Sequence, residues 1–139
     1  MGFEKATPIQ EEAIPKILND KDLIACAQTG TGKTAAFVLP VLQKLMSNRR
    51  DDNSIRALVI VPTRELALQI DQAVMGLSYF ADVSSIALYG GGDGADVNQE
   101  KNALDSVTNM RIASPAKRRS LLHWVYMNMT HLEFLMRDA

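Results

Sequence analysis

The 139-residue sequence predicts an α/β fold, a parallel sheet with helices on both faces. Short apolar runs alternate with segments whose apolar residues recur at helical spacing, and a glycine-rich turn follows the first run directly. A hydrophobic content of 47% supplies one core for a chain of this size.

In chain order, Thr7-Pro8 followed by Ile9, Ala13, Ile14, Ile17 and Leu18 predicts a short helix with Pro8 in its first turn. Residues 22–27 (DLIACA) are too few for a buried helix and lead into the glycine-rich turn, which predicts a buried strand. A helix is expected from Lys33 through Leu45, kinked at Pro40. The polar segment 47–54 is a loop, and 57–61 a second buried strand stopped by Pro62-Thr63. Leu66, Leu68, Ile70, Ala73, Val74 and Leu77 mark a helix to about Phe80. Residues 83–89 are expected to form a third strand and 97–104 a helix. Residues 110–113 form a weaker fourth strand, interrupted by Arg111, followed by a helix over 117–125 and a fifth strand over 132–136.

Composition narrows the setting. One cysteine, Cys26, cannot form an internal disulfide, and no apolar stretch reaches the ~20 residues of a membrane span, so a cytoplasmic protein with no membrane partner is expected. The formal net charge of −1 is unevenly spread. Residues 1–110 carry 10 basic and 14 acidic side chains, whereas residues 111–139 carry five and two. A near-neutral total therefore leaves room for a polyanion at the basic end.

Parallel sheets bind ligands beyond the carboxyl ends of their strands, which directs attention to 28–34, 62–65, 90–93, 114–117 and Asp138. The first of these, Ala27-Gln28-Thr29-Gly30-Thr31-Gly32-Lys33-Thr34, is a P-loop with alanine at the first glycine position. Gly30 and Gly32 let backbone amides converge on phosphate oxygens, and the following helix presents its positive end to them. Lys33 should reach the β- and γ-phosphates, and the Thr34 hydroxyl should ligate Mg²⁺.

Together with other motifs, this turn makes the sequence resemble the DEAD-box RNA helicases. Gly2-Phe3-Glu4-Lys5-Ala6-Thr7-Pro8-Ile9-Gln10 is similar to the family's Q motif. The resemblance implies that Gln10 hydrogen-bonds the adenine edge, that Phe3 stacks on the base, and that Lys5 lies near the nucleotide. Pro62-Thr63-Arg64-Glu65-Leu66-Ala67 matches motif Ia, Gly90-Gly91 the GG turn, and Ser114-Pro115-Ala116-Lys117 a diluted TPGR motif. In the family these turns hold the sugar-phosphate backbone of single-stranded RNA, which implies RNA contacts at Pro62, Thr63, Arg64, Gly91, Ser114 and Lys117. Binding to phosphates should be sequence-independent and salt-sensitive.

The fold implied is a P-loop NTPase, RecA-like domain truncated near the Walker B strand, with ATP and Mg²⁺ as cofactors. Residues 1–139 would be most of the first helicase domain, its partners being single-stranded or duplex RNA and a second RecA-like domain. Lys33, Thr34 and Asp138 are the catalytic candidates, with Thr34 and Asp138 on the metal. The family's Asp-Glu-Ala-Asp is incomplete here: the chain reads Phe134-Leu135-Met136-Arg137-Asp138-Ala139. Asp138 falls on the first Asp and Ala139 on the Glu; an alternative register puts Arg137 and Asp138 there. In either, Arg137 places a cation where a strand should be apolar, costly unless solvated or paired.

Related folds also place another strand beside the P-loop strand. A gap is therefore expected in this sheet, filled by a shifted strand or by self-association. The chain alone is expected to bind nucleotide weakly and hydrolyse it negligibly; a non-catalytic nucleotide- or RNA-binding module is the alternative. Cys26 reads as a buried small hydrophobe, His123 and His131 lack metal-ligand spacing, and Trp124 with Tyr126 fits a core better than a base-stacking platform.

Overall fold

The computed structural model of the chain describes residues 4–50, 54–89, 108–114 and 130–138. Three helices, α1 (Pro8–Leu18), α2 (Lys33–Ser47) and α3 (Arg64–Leu77), accompany four strands, β1 (Ala57–Ile60), β2 (Ser85–Tyr89), β3 (Met110–Ser114) and β4 (Phe134–Arg137). The strands form one sheet in the order β2-β3-β1-β4, and every pairing is parallel. This is the α/β architecture expected. The helices expected over 97–104 and 117–125 lie outside the described residues.

Strand alternation places the core. Ala57, Val59, Met110 and Ile112 point to one face, where Val38, Val41, Leu42 and Leu45 of α2 and Ala67, Ile70 and Val74 of α3 close over them. Phe134 and Met136 join that cluster from β4. Ile55, Leu58, Leu88 and Ala113 form a second cluster on the opposite face. Arg111 does not interrupt β3. The strand runs through it, and burial pushes its guanidinium below the ordinary arginine range while it stays charged.

Local signals set the helix ends. Pro8 begins α1, where its missing N–H is no loss, and the Thr7 N–H donates to Gln10 Oε1 at 3.0 Å. Thr63 caps α3 by accepting from the Leu66 N–H at 3.2 Å. The second helix continues past buried Pro40 to Ser47, slightly beyond its expected end.

The buried strand expected over 22–27 is not formed. Residues 21–28 adopt no regular structure, Ile24 is 96% exposed, and Cys26 is exposed, not a core hydrophobe. A strand needs a hydrogen-bonded neighbour, and β4 instead pairs with β1. Between β4 and residues 21–25 lies a cavity of about 280 Å³ floored by α1 and α2. Arg137 meets no burial penalty, because its side of β4 is exposed.

The alternation yields a stability contrast. Ile112→Ala should lower the unfolding free energy by about 2–5 kcal/mol, since Ile112 is fully buried. Leu135→Ala, at a side chain 64% exposed, should stay within about 0.5 kcal/mol. Urea titrations of both variants measure the difference.

Candidate nucleotide site at the carboxyl edge of the sheet

Register aligns the carboxyl ends of the strands. Ile60 is opposite both Ala113 and Arg137, and Tyr89 is opposite Ser114, so Pro62, Ser114 and Asp138 emerge at one edge. The Val61 N–H donates to Ala113 O, and the Asp138 N–H to Ile60 O at 2.9 Å, which carries the alignment one residue past the ladder. Lys33, at the start of α2, and Asp138 both line the cavity that runs along β4.

The glycine-rich turn has the conformation its composition requires. Gly30 and Gly32 both have φ +78°, a region closed to most side chains, and Gly32 is the N-cap of α2. Thr31 Oγ1 donates to Gln28 O at 2.6 Å, bracing the turn from within. Space beside Gly30 is open. A Cβ at Gly32 would collide with the Gln10 amide nitrogen and approach Thr7 Oγ1 to 3.3 Å.

Gln10 ties α1 to this turn. It is only 4% exposed; its Oε1 accepts from Thr7 N, and its Nε2 donates to Gly32 O at 3.3 Å. Each end of the amide thus keeps one hydrogen-bonding position for another partner. Thr7 Oγ1, buried beside Gly32, has no hydrogen-bond partner. An orphaned hydroxyl, an open Gly30 and a helix N-terminus at one turn suit an anionic ligand such as a nucleotide phosphate.

A divalent cation fits on narrower terms. Among the described residues no cluster of three or more His, Cys, Asp or Glu could hold a metal. Thr34 and Asp138 offer one hydroxyl and one carboxylate, a donor set that suits Mg²⁺ when phosphate oxygens and water complete the shell.

The remaining candidates divide by placement. Lys5, Gln28, Thr29, Pro62, Thr63 and Arg64 are exposed, whereas Thr31, Lys33, Thr34 and Asp138 are half-buried. Phe3, Gly91 and Lys117 lie outside the described residues, as do His123, Trp124 and Tyr126. Ser114, expected at an RNA surface, is instead 1% exposed with an unpartnered hydroxyl, because the buried end of β3 includes it. Thr7, Arg56 and Glu133 were not expected from sequence. A capping-box spacing from Thr7 to Gln10 could have identified the first.

The two glycines differ in a measurable way. Gly30→Ala should cost about 1–2 kcal/mol of backbone strain with no clash. Gly32→Ala should cost more, because the added methyl must also displace Gln10. Urea unfolding of both variants checks the order.

Comparison with known proteins accords with this geometry. The DEAD/DEAH box helicase family matches residues 7–138. The chain is 41% identical over 138 residues to the ATP-dependent RNA helicase CshA of Listeria monocytogenes, covering 99% of this chain and 25% of that protein. It is 43% identical over 123 residues to the probable ATP-dependent RNA helicase DDX27 of Homo sapiens, covering 88% of this chain and 16% of that one. A solved structure of a hypothetical ATP-dependent RNA helicase from Sulfolobus tokodaii superposes with a TM-score of 0.78 at 27% identity, over 99% of this chain and 38% of that one. The chain thus spans about a quarter or less of the length of these curated relatives. A parallel sheet, a left-handed glycine turn at the start of α2 with a glutamine bound to it, and a match over nearly the whole sequence place this chain in the DEAD/DEAH box helicase family.

Proposed function

We propose that this chain is the ATP-binding and RNA-contacting part of an ATP-dependent RNA helicase, as its relatives are named. The observation that carries the reading is the left-handed glycine turn at the N-terminus of α2, with buried Gln10 bonded to it. The turn's amides and Lys33 bind the phosphates, while Thr34 and Asp138 would hold Mg²⁺. Bound there, the ion would supply positive charge to offset negative charge developing on the phosphates.

Gln10 reads adenine with the hydrogen-bonding positions its Thr7 and Gly32 contacts leave unused. Phe3 and Lys5 complete the base end of the site. A guanine offers the opposite donor and acceptor pattern, so equal affinity for ATP and GTP would overturn this role.

RNA follows the exposed turn Pro62-Thr63-Arg64 at the same edge, with Gly91 and Lys117 as further contacts. These groups suit phosphates and carry no base code. A non-catalytic nucleotide- or RNA-binding module is the second reading, favoured by Ala139, which supplies no carboxylate to orient water. ATP turnover by this chain near that of a complete helicase would eliminate it.

Thermal unfolding with and without Mg-ATP tests nucleotide binding. Saturation at 100 times the Kd should add about 2.7 kcal/mol, and Lys33→Ala should abolish the rise in Tm. No shift at millimolar Mg-ATP overturns the reading. For RNA, Arg64→Ala should weaken binding uniformly across homopolymers and reduce the slope of log affinity against log salt by about 1. Fluorescence anisotropy at several salt concentrations measures both.

A further inference from the structure

Arg56 lies immediately before β1, is 2% exposed, and is a charge that burial obliges the fold to pair. Its Nε donates to Glu133 Oε1 at 3.2 Å and its Nη2 to Glu133 Oε2 at 3.0 Å, a two-pronged contact. Its Nη1 donates to Leu45 O at 3.1 Å, in the last turn of α2. The Arg56 carbonyl accepts from the N–H groups of Glu133 and Phe134 at 2.8 and 3.0 Å. One residue thus grips the end of α2 and the beginning of β4 together.

Neighbouring contacts act in the same place. Lys44, one residue before Leu45, sits 5.9 Å from the centre of the Phe134 ring and pairs with Asp20 after α1. Arg50 donates to His131 Nδ1 at 2.9 Å and lies 3.9 Å from Glu133 Oε1.

At their other ends, α2 begins with Lys33 and Thr34, and β4 leads into Asp138. The 15 residues of α2 span about 22 Å, so the grip is remote from the nucleotide site. Among the described residues β1 is the one strand that pairs with β4. The β1–β4 ladder carries the register of β4, and the fork to Glu133 adds a side-chain tie from that ladder to the end of α2.

We infer that Arg56 and Glu133 are positioning residues for the Mg²⁺ site: they hold Asp138 in register with the phosphate-binding turn without touching nucleotide or metal. The inference rests on the proposed nucleotide-binding reading. It separates two properties of the site. The turn, α1 and the N-terminus of α2 bind nucleotide without metal, while the metal's contribution requires β4 in place.

The test uses the full chain and a fluorescent ATP analogue, titrated in EDTA and in Mg²⁺. Glu133→Ala removes the fork; Glu133→Asp keeps the charge and the fold but shortens the reach by one methylene. Both variants should retain wild-type affinity in EDTA and lose about 10-fold of the gain that Mg²⁺ confers, the scale expected for a group supporting a metal ligand. If Glu133→Ala does not fold, Glu133→Asp decides. Equal losses in EDTA and Mg²⁺ would show a merely structural role and overturn the inference. An undiminished Mg²⁺ gain in the variants would overturn it too, leaving the nucleotide reading intact. A wild-type chain that binds no nucleotide in either medium would overturn both.

Discussion

The buried guanidinium of Arg56 is the constraint on which the arrangement of the sheet depends. An unpaired ion at 2% exposure would cost several kcal/mol, so the chain supplies a carboxylate from Glu133 and a carbonyl from Leu45, 77 residues and 11 residues away. Those partners come from the beginning of β4 and the end of α2. Satisfying one charge therefore ties together two elements, the strand β4 beside β1 and the helix α2 over the sheet face, and the ladders from β1 to β3 and β4 extend that alignment to the carboxyl edge.

Much of this fold is legible in sequence because its signals are local. The spacing of Ala13, Ile17, Val38, Val41, Ile70 and Val74 marks helix faces that the structure buries or half-buries. The runs around Val59 and Ile112 mark strands that prove central. The glycine-rich turn is equally local, since a left-handed backbone at Gly30 and Gly32 follows from residue type and position. Arg56 and Glu133 are illegible for the converse reason. Nothing near either residue indicates its partner, and an arginine beside an apolar run ordinarily reads as a solvated strand end.

Residues 22–27 show where apolar patterning stops short of structure. Leu23, Ile24, Ala25 and Cys26 are a strand by composition, yet composition describes what a segment could bury and not whether a neighbour is present. The ladder forms one strand away, between β1 and β4, and the cavity of about 280 Å³ separates residues 21–25 from it. The same geometry accounts for Arg137. A cation in a central strand would be buried, but on β4 its side chain reaches solvent.

The glycine-rich turn keeps its form although no strand leads into it. Its conformation rests on the Thr31 bond to Gln28, the glycine backbone, and Gln10 reaching across from α1. Because α1 packs chiefly on α2, whose first residues follow the turn, the turn is held by two helices and a glutamine. Docking of α1 and the form of the glycine turn therefore share one hydrogen bond, from Gln10 to Gly32. By linkage, a ligand that binds only the turn held by Gln10 stabilises α1 on α2 by the same free energy with which docked α1 favours that ligand.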